Sequence, residues 1–218
     1  MNSFKKLVLS SLAAGALALS AMPASASLIL TLDDGAGNAV SVNDNGVGDV
    51  NSLLGAIVFS GNLGLWSINT AIGADSSTPN LAKIDLTSFN AVYSGSGVAN
   101  LTVSLLDTGL TGPVGISTPG RTSVGGTTNG TVNFSTYFNG TLVASAGVFN
   151  PNSYSQDLYF GGVNTSAPFS LEDVILISQN GLGTTQATME TTIPEPATLG
   201  LLGLGLLGLG FARRRMSV

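Results

Sequence analysis

Residues 131–149 read TVNFSTYF-NG-TLVASAGVF, and this stretch decides the fold. Val132, Phe134, Thr136 and Phe138 fall on one face of an extended chain, and Asn133, Ser135 and Tyr137 on the other. That is the alternation of an antiparallel strand with one buried face. Asn139-Gly140 separates this run from the next. The dipeptide favours the primed two-residue turn of a tight hairpin, because both residues accept positive φ.

The same pattern recurs on both sides. Short runs rich in Val, Ile, Leu, Thr, Phe and Tyr alternate with clusters of Gly, Asn, Asp and Ser. They predict strands at 27–32, 39–42, 55–60, 65–70, 82–93, 101–106, 130–138, 141–149, 157–160, 169–178 and 185–191. Val174 to Ile177 are apolar in sequence, which suits a central core strand. No useful window repeats at 3.6 residues, and 52–57 is the best place for one short turn of helix. Trp66, the single tryptophan, is expected in packing. Many short strands with Gly-rich turns predict an all-β fold, an antiparallel two-sheet sandwich of jelly-roll type.

The chain has 218 residues, 44% hydrophobic and 9% charged, with no Cys and no His. Without Cys there is no disulfide framework, thiolate nucleophile or Cys-ligated zinc. Without His there is no Ser-His-Asp triad and no imidazole base or metal ligand. The apolar excess is concentrated at the two ends. The N-terminus carries Lys5 and Lys6, an apolar run from Leu7 to about Met22, and then Ala24-Ser25-Ala26. A basic start, an apolar run and a small-x-small site predict a signal peptide over 1–26. Ala24 and Ala26 fit the signal peptidase, with cleavage before Ser27.

The C-terminus carries Pro194-Glu195-Pro196, an uncharged Leu/Gly segment over about 197–212, and Arg213-Arg214-Arg215. The segment's 16 residues make a helix about 24 Å long, short for a bilayer core of about 30 Å. Its prolines suit the helix start, and the arginines orient it with the body outside. Both termini are thus expected as helices, a signal helix and a transmembrane helix, flanking a body at 27–190, with the sorting region at 191–218.

This tail resembles the PEP-CTERM sorting signal of Gram-negative bacteria, on the match of Pro194, Glu195, Pro196, the apolar span, Arg213, Arg214 and Arg215. The resemblance implies cutting near the motif by an exosortase, an integral membrane enzyme, and a link to extracellular polysaccharide and biofilm matrix. It implies a body held briefly at the inner membrane on the periplasmic side, then passed to the cell surface or beyond. The body layout is also similar to other PEP-CTERM ectodomains, in its Asp-rich early loop, the Leu-Leu-Asp-Thr-Gly segment at 105–109 and the strand over 171–178.

Between the ends only Lys83 and Arg121 are basic, against eleven acidic residues, a formal charge of −9. Such a body repels phosphate backbones, so nucleic acid is excluded as a partner. The densest polar cluster is NDNGVGDVN at 43–51. Oxygens of Asp44, Asn45 and Asp49 offer a Ca²⁺ site. The same residues are also what turns require. The loop is not an EF-hand, because the twelfth position from Asn43 is Leu54. Asp33-Asp34-Gly35 reads as a hairpin turn, or as a second contributor to that cation.

Catalysis on carboxylates needs a facing pair. Glu172 and Asp173 are adjacent and point to opposite faces of a strand. Trp66, Tyr93, Tyr137, Tyr154 and Tyr159 are the residues from which a sugar platform would be drawn. The threonines at 184, 185, 188, 191 and 192 read as a solvated last strand and linker, since no repeat builds a flat ice-binding array. The expectation is a non-enzymatic exported surface or matrix protein. The alternative is a carbohydrate-binding or polysaccharide-modifying sandwich. An aligned aromatic strip or a pocket with two carboxylates would mark the alternative.

Overall fold

A computed structural model describes residues 27–78, 81–113, 118–166 and 168–194. The expected signal helix and transmembrane helix lie outside these residues. Twelve strands are present: β1 (Ser27–Asp33), β2 (Ala39–Asn43), β3 (Ala56–Leu63), β4 (Trp66–Asp75), β5 (Leu81–Tyr93) and β6 (Val98–Leu110). The second half adds β7 (Thr118–Thr128), β8 (Thr131–Phe138), β9 (Thr141–Phe149), β10 (Asn152–Val163), β11 (Phe169–Asn180) and β12 (Gly183–Pro194).

They form two six-stranded antiparallel sheets, ordered β2-β1-β6-β11-β8-β9 and β10-β7-β12-β5-β4-β3. Within them, β5-β12-β7-β10 faces β6-β11-β8-β9, the interleaving of a jelly roll, with β1–β2 and β3–β4 added at the edges. The hairpin that announced the fold is present. Asn139 and Gly140 take φ of 48° and 73° between β8 and β9. Val132, Phe134, Thr136 and Phe138 all point inward and are buried.

Three expectations require correction. Residues 52–57 hold no helix: the chain turns at Gly55, with φ of 81°, and Ala56 opens β3. That turn is closed from outside, by the Asp44 carboxylate on the Gly55 N–H (2.8 Å) and by the Gly55 carbonyl on the Asp75 N–H (2.8 Å). The threonine-rich stretch is not a solvated last strand and linker throughout: Thr188 is exposed, but the strand is central and one of its faces is core. β12 lies inside its sheet between β7 and β5, and Thr185 and Thr191 are fully buried. A whole strand, β7, was absent from the expected set. Its Pro119, Gly120, Gly125 and Gly126 read as turn residues, but Gly120 and Gly126 permit close packing instead. A Cβ at Gly120 would enter the Phe160 ring, and one at Gly126 would strike the Gln186 carbonyl.

The core is one continuous cluster between the sheets. It is built on Leu30, Leu32, Ile57, Trp66, Ile84, Phe89, Leu105, Phe134, Ile175 and their neighbours. Most side chains are aliphatic, and the ring pairs Phe134–Tyr154 (5.6 Å) and Phe138–Phe169 (5.1 Å) fill the broader gaps.

Candidate functional site

The last strand and the sorting residues share a few positions. β12 runs to Pro194, where it pairs with Leu81 of β5, while Thr192 pairs with both Lys83 and Arg121. Ile193 is completely buried. The strand thus passes residue 190, the expected end of the body, without a linker. Glu195, Pro196, the apolar span, Arg213, Arg214 and Arg215 lie outside the described residues, as do Ala24 and Ala26. Ser27 opens β1 opposite Thr108, and Leu28 beside it is buried in the core. Ser27 and Pro194 therefore leave the sandwich at the same end, the end where the β2–β3 loop crosses between sheets.

That loop carries Asp44, Asn45 and Asp49, and its carboxylates are largely committed to the main chain. Asp49 Oδ1 accepts from the N–H groups of Asn51 (2.8 Å) and Val58 (3.0 Å), and Oδ2 from Asn45 N–H (3.0 Å). Asp44 Oδ1 accepts from the Asn45 side-chain amide (3.2 Å), and Oδ2 from Gly55 N–H. These bonds build the loop and leave Val47, Val50, Leu53 and Leu54 exposed on its outer surface. Asp33 and Asp34 sit at the opposite end of β1, in the hairpin to β2. Four residues of strand separate Asp33 from the Asn43 rung, about 13 Å. The two acidic clusters therefore do not share a cation. Asp34 closes its turn on Ala36 N–H and Asn38, and the Asn38 side-chain amide holds its carboxyl below the ordinary range.

Two acids lie fully inside the sandwich, Asp173, which the sequence offered as the neighbour of Glu172, and Asp107. Asp173 of β11 faces inward at mid-sheet, where its Oδ1 accepts the hydroxyls of Thr136 (2.9 Å) and Thr191 (2.7 Å). Thr122 closes the group with bonds to both threonines, at 2.8 and 2.9 Å. Burial pushes the Asp173 carboxyl up to about 7 against the pull of those hydroxyls. Glu172, its neighbour, lies on the other face and accepts from the Ser104 hydroxyl (2.6 Å). The adjacent pair is split between faces, as strand geometry requires. The second acid, Asp107 of β6, is also 0% exposed, but neither of its oxygens has a partner. Burial, then the nearby Asp75 carboxyl, pushes it up to about 7.

The surface offers less. Trp66 and Tyr93 pack with ring centroids 4.9 Å apart, tilted by 39°, and are buried, 2% and 6% exposed. They floor an open groove of about 360 Å³, bordered by Asp34, Asn38, Leu65 and Asn100. Tyr154 is buried with its hydroxyl on the Gln186 carbonyl (3.0 Å), and burial raises its pKa. Among the described residues Tyr159 is the one strongly exposed ring, at 77%. The groove holds one carboxylate, Asp34. Both body cations are paired: Lys83 with Glu190 (2.7 Å) and Asp85 (3.6 Å), Arg121 with Asp157 (3.0 Å).

Residues 192–215 match the family model described as the PEP-CTERM protein-sorting motif. No curated protein matches the chain. Among solved structures the chain is similar to the PA14 sugar-binding domain from an RTX adhesin. The identity is 17% over 56% of this chain and 69% of that one, with a TM-score of 0.30. It is similar to TmCBM61 in complex with β-1,4-galactotriose, at 8% identity over 62% and 92% of the two chains and a TM-score of 0.33. It is also similar to the K1 cleaved adhesin domain of Lys-gingipain from Porphyromonas gingivalis W83, at 7% identity over 65% and 98% and a TM-score of 0.31. With TM-scores this low, none of the three carries an argument about what this chain binds.

Proposed function

We propose, from the PEP-CTERM motif at residues 192–215, that this is an exported, non-catalytic bacterial surface or matrix protein. Signal peptidase removes 1–26. The apolar segment at about 197–212 then holds the body at the inner membrane with the sandwich on the periplasmic side. An exosortase cuts at Pro194-Glu195-Pro196, and the acidic sandwich passes to the cell surface or the extracellular polysaccharide.

One observation carries this reading: the sorting motif begins within the last strand of a complete folded body. The overlap also bounds the cut. Cleavage on the body side of Ile193 would remove a fully buried side chain from a central strand. The bond is therefore at or beyond Ile193–Pro194. A structural or adhesive role is supported by the burial of Asp107 and Asp173. Their raised pKa values suit acid chemistry, but neither carboxyl reaches a polymer substrate. The carbohydrate-binding alternative needs a strip of exposed rings, and among the described residues Tyr159 is the one strongly exposed ring.

The test is the location and mass of the protein in its host after Glu195→Ala or deletion of Arg213–Arg215. The expected result is unprocessed chain retained in the membrane fraction. Unchanged mass and location in both variants would refute the sorting assignment.

A further inference from the structure

We propose that Asp107, Asp75 and Asp44 form a calcium site that pins the β2–β3 loop between the two sheets. Asp107 continues the inward file Leu101, Val103, Leu105 of β6, yet it ends that file with a carboxyl whose two oxygens have no donor. A buried carboxylate without hydrogen bonds or a counter-charge is strongly disfavoured. The chain supplies no cation here. Lys83 and Arg121, the two basic residues between 27 and 194, are engaged with Glu190, Asp85 and Asp157.

What surrounds Asp107 is further negative charge. The Leu105 side chain covers Gly73 of β4, so that any Cβ at Gly73 would meet it. Two residues further along both strands, the Asp75 carboxyl stands against that of Asp107, and the charge of Asp44 adds to it. Gly55 ties the other two acids together: its N–H donates to Asp44 Oδ2 and its carbonyl accepts from Asp75 N–H, each at 2.8 Å. Asp44 N–H in turn donates to the carbonyl of Leu28 (3.0 Å), the residue opposite Asp107 in the β1–β6 ladder.

Three carboxylates from β4, β6 and the β2–β3 loop thus lie near one another toward the open end of the sandwich. Ca²⁺ takes six to eight oxygens in flexible geometry, waters included. Both oxygens of Asp107 are free to ligate, while Asp75 Oδ1 is held by Ser77 N–H (2.7 Å). Among the described residues no three acidic side chains already close on one point. Asp75 and Asp44 are half-buried, and closing on one point requires both carboxyls to turn, Asp44 exchanging a bond from the Asn45 amide or the Gly55 N–H for the cation. The cation expected at Asp44, Asn45 and Asp49 therefore sits one layer deeper. Asp44 is retained, while Asp49 caps the loop. The proposal is independent of the fate of the tail.

The experiment is thermal melting of the full chain in mild detergent at about pH 7.5, in EDTA, in Ca²⁺ and in Mg²⁺ at matched ionic strength. Ca²⁺ is expected to raise the melting temperature by about 5 °C or more over EDTA. Mg²⁺ gives a smaller rise. Asp107→Asn is expected to lose the calcium response while melting in EDTA no lower than the unaltered chain. Equal melting in Ca²⁺ and EDTA would overturn the site. An equal response to Mg²⁺, or a full response in Asp107→Asn, would overturn it as well. Should Asp107→Asn not fold, Asp75→Asn with calorimetric titration replaces it. One Ca²⁺ per chain is expected before the change and none after, and an unaltered stoichiometry would overturn the proposal.

Discussion

Asp173 and Asp107 lie on neighbouring strands of one sheet, both face the core, and both are completely buried. Their surroundings differ in one respect. Asp173 sits at mid-sheet, where Thr136, Thr191 and Thr122 supply a closed set of hydroxyls from both sheets. Asp107 sits at the end of the sandwich, where the chain supplies only more carboxylate. Burial raises both pKa values to about the same level, so the pKa does not separate them. Hydrogen-bond accounting does. Asp173 is held by the chain through Oδ1, which accepts two hydroxyls, while its Oδ2 has no partner; both oxygens of Asp107 are left without one.

The largest expected effect breaks the hydroxyl-bonded site. Asp173→Ala leaves Thr136 and Thr191 without their shared acceptor and should cost about 3 kcal/mol, read from urea midpoints near pH 5. Asp107→Ala under the same conditions removes no hydrogen bond and should cost about 1 kcal/mol or less. Equal losses would erase the distinction between the two acids.

A smaller effect is the pH dependence in EDTA. Folding moves each carboxyl from 3.8 to about 7, so the folded chain holds protons that the unfolded chain releases. The stability these groups contribute is full below about pH 4 and is lost as pH rises through about 7. Asp34, held low by Asn38, acts in the opposite sense and only in acid below its ordinary pKa. The melting temperature should therefore fall from about pH 4.5 to about pH 7. Asp173→Asn should remove one share of that slope, and Ca²⁺ should remove the share of Asp107. A melting temperature that rises across this window would contradict both assignments.

Much of the fold was legible from alternation alone. The hairpin at Asn139-Gly140, the bounds of β9 and the two-sheet architecture follow from period-two patterning and one turn dipeptide. β7 was not legible, because its glycines speak for turns locally. Their reason lies in rings and carbonyls from strands far away in sequence, Phe160 and Gln186. β12 was misjudged because threonine is ambiguous. Its inward hydroxyls need Asp173, Thr122 and Thr128 opposite them, and no local window contains those partners. The buried positions of β5 change parity between Leu86 and Phe89, and the structure bulges there at Ser88, with φ of 53°.

The candidate sites divide in the same way. The terminal sorting signals are contiguous in sequence and could be read directly. Asp44 was picked out by its polar loop. Asp75 was one acid in a charge count and Asp107 one residue of the Leu-Leu-Asp-Thr-Gly segment, because what joins them is the facing of β4 and β6 across the core.

The central claim is that the body is exported, cut free of its tail and leaves with β12 whole through Ile193. The most direct measurement is the intact mass of the mature protein recovered from the outside of the host cell. The expected mass is that of a chain beginning at Ser27 and ending at or just beyond Ile193, allowing for any group the exosortase adds. A mass that still includes residues 197–218, or a chain that ends before Ile193, would contradict the account.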